Sequence, residues 1–331
     1  MNKTTWSSRV VRWIVLSLVA AACTPQPAQT TQQPTQPAAA NTLPAATLTP
    51  SASPIQLTDG LGQALSFPAP VQLIVSLAPS NTEILFAIGA GSQVIGRDSY
   101  SDYPPEALRV KNIGGGFNEL DTETILSLQP DLILASSLTP PEQIQALQKL
   151  GLTVFALANP RDIDGMYINL LTVASLTGHT GQAQTLIQNL KSRVSNVEQK
   201  LANLKSRPLV FYELDGTDPN APWTTGPGTF IDTLINMAGG DILGQALKSD
   251  WAQISLEELI AKDPAIILIG DAYWGGVTVE AVKARTGWDA LSAVKNGQVF
   301  PFDDNLVSRP GPRLVDGLEA LAAFLHPELF K

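Results

Sequence analysis

The sequence predicts an α/β body made of two lobes joined by one long α-helix. Three observations point there. Short β-rich apolar runs alternate with helix-start signals in both halves of the chain, the pattern of strands separated by helices in a parallel sheet. Between the halves, apolar residues recur in steps of three and four at Ala183, Leu186, Leu190, Val194, Val197, Leu201 and Leu204, which marks one amphipathic helix. Finally, one segment echoes another. Glu123-Thr-Ile-Leu-Ser-Leu-Gln-Pro130-Asp-Leu-Ile-Leu aligns with Glu257-Glu-Leu-Ile-Ala-Lys-Asp-Pro264-Ala-Ile-Ile-Leu, so the two lobes are related.

The first 22 residues read as an address. Lys3, Arg9 and Arg12 precede a ten-residue uncharged run that ends in Ala20-Ala21-Ala22-Cys23, the layout of a secretory signal with a lipoprotein cleavage site. That run is too short to cross a hydrocarbon layer roughly 30 Å thick. Cys23, the only cysteine, is then the expected lipidation site and membrane anchor. Residues 23–55 carry seven prolines and no charge among Thr, Gln, Ala and Ser, so they are expected to form a disordered tether.

The first lobe is expected over 56–180. Its strands fall at 72–77, 93–96, 131–135 and 153–157, with helices at 79–89 and 141–150. The bridging helix is expected over 181–206, ended by Arg207-Pro208 and on the order of 35 Å long at 1.5 Å per residue. The second lobe, 207–331, has strands at 209–212 and 265–269 and helices at 229–238, 256–261 and 313–325. Asp121 and Ser255 sit two residues before Glu123 and Glu257, as natural N-caps of matching helices. Each glutamate in a first turn favours its own helix dipole by about 0.3–1 kcal/mol. Taken together they are also a pair of acidic knobs, one per lobe, for a basic partner.

The composition excludes several functions. Of 331 residues, 30 are acidic and 21 basic, and a net charge of −9 argues against nucleic acid as a partner. One cysteine excludes a disulfide scaffold, and two histidines make a multi-histidine zinc site unlikely to exist. Both histidines are expected at the surface: His179 in a Gly-flanked turn, and His326 before Pro327. No phosphate loop or nucleophile elbow is present, and Asp98, Asp102, Asp271, Asp303 and Asp304 show no telling spacing. An extracytoplasmic enzyme on this scaffold therefore lacks a visible catalytic constellation. Instead, aromatic residues fall in loops of both lobes: Tyr100, Tyr103, Phe117, Trp223, Trp251, Tyr273 and Trp274. Singly each suits packing under a loop; as a set they suit the wall of a cleft for a large, partly apolar ligand.

Three stretches resemble one family. Ile74-Val-Ser-Leu-Ala-Pro-Ser-Asn-Thr-Glu83, Asp98-Ser-Tyr-Ser-Asp-Tyr-Pro-Pro105 and Leu126-Ser-Leu-Gln-Pro-Asp-Leu-Ile-Leu134 are similar to the cobalamin and iron-siderophore substrate-binding proteins of ABC importers. The resemblance covers about 73–325, and the second stretch is most like the cobalamin-binding branch. It implies two rigid Rossmann-like α/β lobes bridged by one long helix, with ligand in the cleft between them. It implies that Tyr100 and Phe117 line the first lobe's wall, that Trp223 and Trp251 line the second, and that Asn305 and Arg309 stand at the ligand's polar edge. It assigns docking onto the two permease subunits to Glu123 and Glu257. Two positions depart from the branch: Ser136 stands where it has Trp, and Asn305 where it has Asp. The expected protein is a monomeric, lipid-anchored, extracytoplasmic binding protein and not an enzyme. It holds no cofactor of its own; its ligand is cobalamin or a related corrinoid, with a ferric siderophore or haem as the alternative.

Overall fold

Two short strands, β1 (Ile55–Thr58) and β2 (Ala64–Phe67), open the fold as an antiparallel hairpin. Asp59 shapes its turn: Oδ1 accepts from the N–H groups of Leu61 and Gln63, and Oδ2 accepts from Ala156 N–H, fastening the hairpin to the first lobe. The structure, a computed structural model, describes residues 53–116 and 119–330. The leader, Cys23, nearly all of the tether and Phe117 lie outside the described residues.

The first lobe continues with β3 (Ile74–Ser76), α1 (Pro79–Ala87), β4 (Val94–Arg97), β5 (Lys111–Asn112), α2 (Thr122–Leu128), β6 (Leu132–Ser136), α3 (Pro141–Lys149) and β7 (Val154–Leu157). Its five strands are all parallel, in the order β5-β4-β3-β6-β7. β3 and β7 are buried at every position, as a parallel sheet covered on both faces requires. Helix α4 (Ile163–Thr177) follows, capped by Asp162 and stopped by Gly178 at φ 81°, where the left-handed backbone favours glycine. Helix α5 (Thr180–Leu201) has 22 residues.

The second lobe comprises β8 (Leu209–Asp215), β9 (Trp223–Thr225), α6 (Phe230–Met237), β10 (Asp241–Ile242), β11 (Trp251–Gln253), α7 (Leu256–Lys262), β12 (Ile266–Ile269), α8 (Val279–Lys283), α9 (Ser292–Lys295), β13 (Val299–Pro301), α10 (Asn305–Ser308) and α11 (Leu314–Leu325). Its sheet runs β11-β9-β8-β12-β13, with β10 beside β8. The parallel half, β8-β12-β13, mirrors β3-β6-β7; the other half is an antiparallel ribbon of β9 and β11. α5 packs on α4 along one side and on α11 along the other, so it bridges the lobes. One hydrophobic core runs through all three parts, from Ile74 and Ile84 through Ile187 and Leu190 to Val210 and Leu318.

The internal echo is structural. Asp121 accepts from Thr124 N–H at 2.9 Å, and Ser255 from Glu258 N–H at 3.2 Å, as the caps of α2 and α7. Both helices end on a left-handed residue other than glycine, Gln129 at φ 48° and Asp263 at φ 45°, each just before the shared proline. A non-glycine residue there is uncommon, so its recurrence extends the match beyond what the sequence showed.

Two expectations are corrected and one helix is added. The bridging helix ends at Leu201, short of 206; the chain turns at Ala202, and Leu204 N–H donates to the Leu201 carbonyl outside the helix. α4 carries apolar residues on most sides, so no stripe announced it in the sequence. His326 is buried, 4% exposed, with Nε2 at 3.1 Å from the Gly239 carbonyl; it stands directly after α11, which folds it inward.

A buried acidic pair closes the carboxyl ends of β8 and β12. Glu213 meets Arg285 through both oxygens, and Asp271 Oδ2 accepts from Gly216 N–H at 2.8 Å, while its Oδ1 has no hydrogen-bond partner. Burial pushes both carboxyls up; Arg285 only partly offsets this at Glu213. A raised folded-state pKa means that the folded chain holds the proton more tightly than the unfolded chain does. The stability this contributes is present at low pH and is lost as pH rises above the ordinary carboxylate range. Asp271→Asn keeps the acceptor for Gly216 and removes one charge. Its denaturant midpoint should therefore improve relative to the parent as pH rises from about 4, the ordinary carboxylate range, towards neutrality; parallel curves would refute this.

Candidate functional site

The carboxyl ends of the parallel strands in both lobes face a shared cavity of about 650 Å³. A crevice there is where open α/β sheets place ligands. Leu77 just after β3, Asp98 just after β4 and Ser136 at the end of β6 line it from the first lobe; Leu214 of β8 and Phe230 of α6 line it from the second.

Tyr100 and Trp251 also stand in this wall. Tyr100 N–H donates to Asp98 Oδ1 at 2.8 Å, which fixes the backbone of the Ser-Tyr-Ser-Asp-Tyr loop. The Tyr100 ring rests against Gly116, so closely that a Cβ there would collide with it; Gly116 is also at φ 69°. Only glycine meets both demands. Trp251 opens β11 and is in register with Thr225, while Trp223 is opposite Gln253. By the two-residue period of a strand, Trp223 and Trp251 share one face of the ribbon. They are 42% and 43% exposed, which is high for tryptophan. Trp223 lies outside the cavity lining, one diagonal step along the ribbon from Trp251.

Arg309, just after α10, is the only cationic residue that lines the cavity among the described residues. Its Nη1 donates to Asp102 Oδ1 at 2.6 Å and reaches Glu83 Oε1 at 3.5 Å. Glu83, on α1, is 3% exposed and is held chiefly by Arg313, whose Nε and Nη2 donate to its two oxygens at 2.9 and 2.6 Å. The Arg313 guanidinium also stacks over the Tyr103 ring, 3.9 Å from its centroid. Two carboxylates of the first lobe and two guanidiniums of the second thus form one charge-balanced knot beside the cavity. A further acid, Asp98, is 2% exposed; burial raises its pKa, and hydrogen bonds from Ser101 and Tyr100 N–H partly offset that.

Tyr100, Trp251 and Arg309 are therefore brought together, and Ser136 joins them, its Oγ accepting from Leu138 N–H at 3.1 Å. Asn305 is turned away, its amide donating to Asp303 Oδ1 at 2.9 Å within its own loop. Glu123 and Glu257 are exposed, each at the second position of its helix, α2 and α7. The sequence reading missed Glu83 and Asp102 as partners of the arginines. Nothing in local spacing joins residues more than 200 positions apart; the one available signal was Arg309 and Arg313 four apart around Pro-Gly-Pro.

The periplasmic binding protein family matches residues 74–306. A Bacillus subtilis (strain 168) relative, an uncharacterized ABC transporter substrate-binding lipoprotein, YvrC, is 31% identical over 84% of this chain and 87% of its own. Among solved structures, the periplasmic vitamin B12 binding protein BtuF of Vibrio cholerae is 27% identical, with a TM-score of 0.67 over 79% of this chain and 99% of that one. The periplasmic heme-binding protein RhuT from Roseiflexus sp. RS-1 is equally similar, at 27% identity and a TM-score of 0.70 over 78% and 99%.

Proposed function

The chain belongs to the periplasmic binding protein family of ABC importers, and from that premise we propose that it captures cobalamin or a related corrinoid and delivers it to a permease. One observation carries this choice of ligand: the single cation lining the cavity among the described residues is already neutralised, by Asp102 and Glu83. The rest of the wall includes Tyr100, Trp251, Leu138 and Phe230, the neutral polar Gln143 and Asn159, and two acids, Asp98 and Asp250. An electroneutral chelate that carries amides fits such a wall. An anionic one, such as haem with two propionates or a ferric catecholate siderophore, would enter without a counter-charge and would face the acids. The haem-binding relative favours the second reading by shape alone, since the fold does not fix the ligand.

In this reading the protein binds and does not catalyse. It works outside the cytoplasmic membrane, held by a lipid on Cys23, and Glu123 and Glu257 meet basic residues of the two permease subunits. Trp251 would contact the corrin ring, so cyanocobalamin should quench tryptophan fluorescence and give calorimetric heat at micromolar concentration. Trp251→Ala should cost about 2 kcal/mol, roughly thirtyfold in affinity, as truncation of a central tryptophan does. Unchanged fluorescence and no heat would sink the corrinoid assignment.

A further inference from the structure

We infer that Asp102 is the residue that sets the charge class of ligand this cleft accepts, by holding Arg309. The inference rests on the proposed cleft and refines its ligand class. Arg309 has one dedicated counter-ion. Glu83 is already satisfied by two hydrogen bonds from Arg313, and its reach to Arg309 is the long one, 3.5 Å; the Asp102 contact is 2.6 Å. Asp102 comes from the first lobe's Ser-Tyr-Ser-Asp-Tyr loop and Arg309 from the second lobe, so the pair forms across the cleft. The two sides of the pair differ in exposure. The Arg309 side chain is 14% exposed and desolvated against the cavity, whereas that of Asp102 is 57% exposed. Both bonds come from Nη1, so a ligand carboxylate or phosphate could reach the other N–H groups of Arg309, but it would meet a guanidinium whose charge Asp102 already offsets. An electroneutral chelate brings no net charge to drive that contact.

Take Asp102 away as a charge and the balance changes. The knot then holds two guanidiniums against one carboxylate, and the unpaired cation is the one that lines the cavity. A desolvated arginine that has lost its close counter-ion donates bidentate, charge-assisted hydrogen bonds to a carboxylate. Asp102→Asn keeps the shape and removes the charge, so the geometry converts a cleft for neutral chelates into one that also takes anions.

The test measures calorimetric affinities for two probes, cyanocobalamin and ferric protoporphyrin, on the full chain. In Asp102→Asn the ratio of protoporphyrin to cyanocobalamin affinity should rise about tenfold, and the gain should shrink as salt is raised. Asp102→Glu should restore the parent ratio, and adding Arg309→Gln to Asp102→Asn should remove the gain. A parent that binds cyanocobalamin, with an unchanged ratio in Asp102→Asn, overturns this inference and leaves the proposed function standing. So does a gain that persists without Arg309. A parent that binds protoporphyrin and not cyanocobalamin overturns both.

Discussion

Charge reversal at both Glu123 and Glu257 should abolish stimulation of the cognate transporter's ATPase while the affinity for ligand stays within about twofold. Both side chains are exposed at the starts of α2 and α7, each on a helix held by its own cap, and neither lines the cavity. Losing one partner of a buried charge pair at an interface costs about 2–5 kcal/mol. Two such losses weaken docking on the order of a thousandfold or more, and arginine adds repulsion from a basic partner. The helices themselves should survive, since Asp121 and Ser255, which cap them, are untouched. ATPase rates in proteoliposomes and ligand calorimetry check the two halves separately. Full stimulation by the double variant would reject the docking role; a collapse of ligand affinity would reassign these residues to the cleft.

Removing the carboxylate of Glu83 should be the most damaging single change to stability. Glu83→Ala leaves Arg313 and Arg309 facing a buried gap, and a buried charge without its partner costs about 3–5 kcal/mol. The lesion also severs α1 of the first lobe from the segment leading into α11 of the second. Glu83→Gln should recover part of the loss, because an amide oxygen still accepts from a guanidinium. Denaturant midpoints measure both. A loss below about 1 kcal/mol would mean that the knot is screened like an ordinary surface pair.

Much of this fold was legible because it is local. Pro79 to Glu83 announced α1, Asp121 and Ser255 announced two caps, and steps of three and four announced α5. The two matching exposed glutamates were legible because Glu123 and Glu257 recur with the same downstream proline. α4 was hidden by its even distribution of apolar residues, and β9 and β11 by the lack of an apolar run in Trp223-Thr-Thr and Trp251-Ala-Gln. In the site, Tyr100, Trp251 and Arg309 could be named from motifs, but not the carboxylates that neutralise Arg309. Local pattern speaks for helices and strands, whereas a pairing between Asp102 and Arg309 exists only after the lobes come together. The same limit hid the burial of His326, whose place near the chain's end suggested the surface.

The continuous core through α5 has a kinetic meaning. Independent lobes joined by a small polar interface would close on a ligand like jaws, and capture would wait for that motion. Here Ile187 and Leu190 of α5 are packed into the same core as the sheets on both sides, so the gap between Tyr100 and Trp251 is set before any ligand arrives. On the proposed function, the cleft would then work as a fixed caliper that sorts flat chelates by thickness. Encounter needs no rearrangement, and differences in affinity among ligands of similar thickness fall on how long each one stays. Emptying such a caliper would demand that something else force it wider, which on the proposed function is work for the permease.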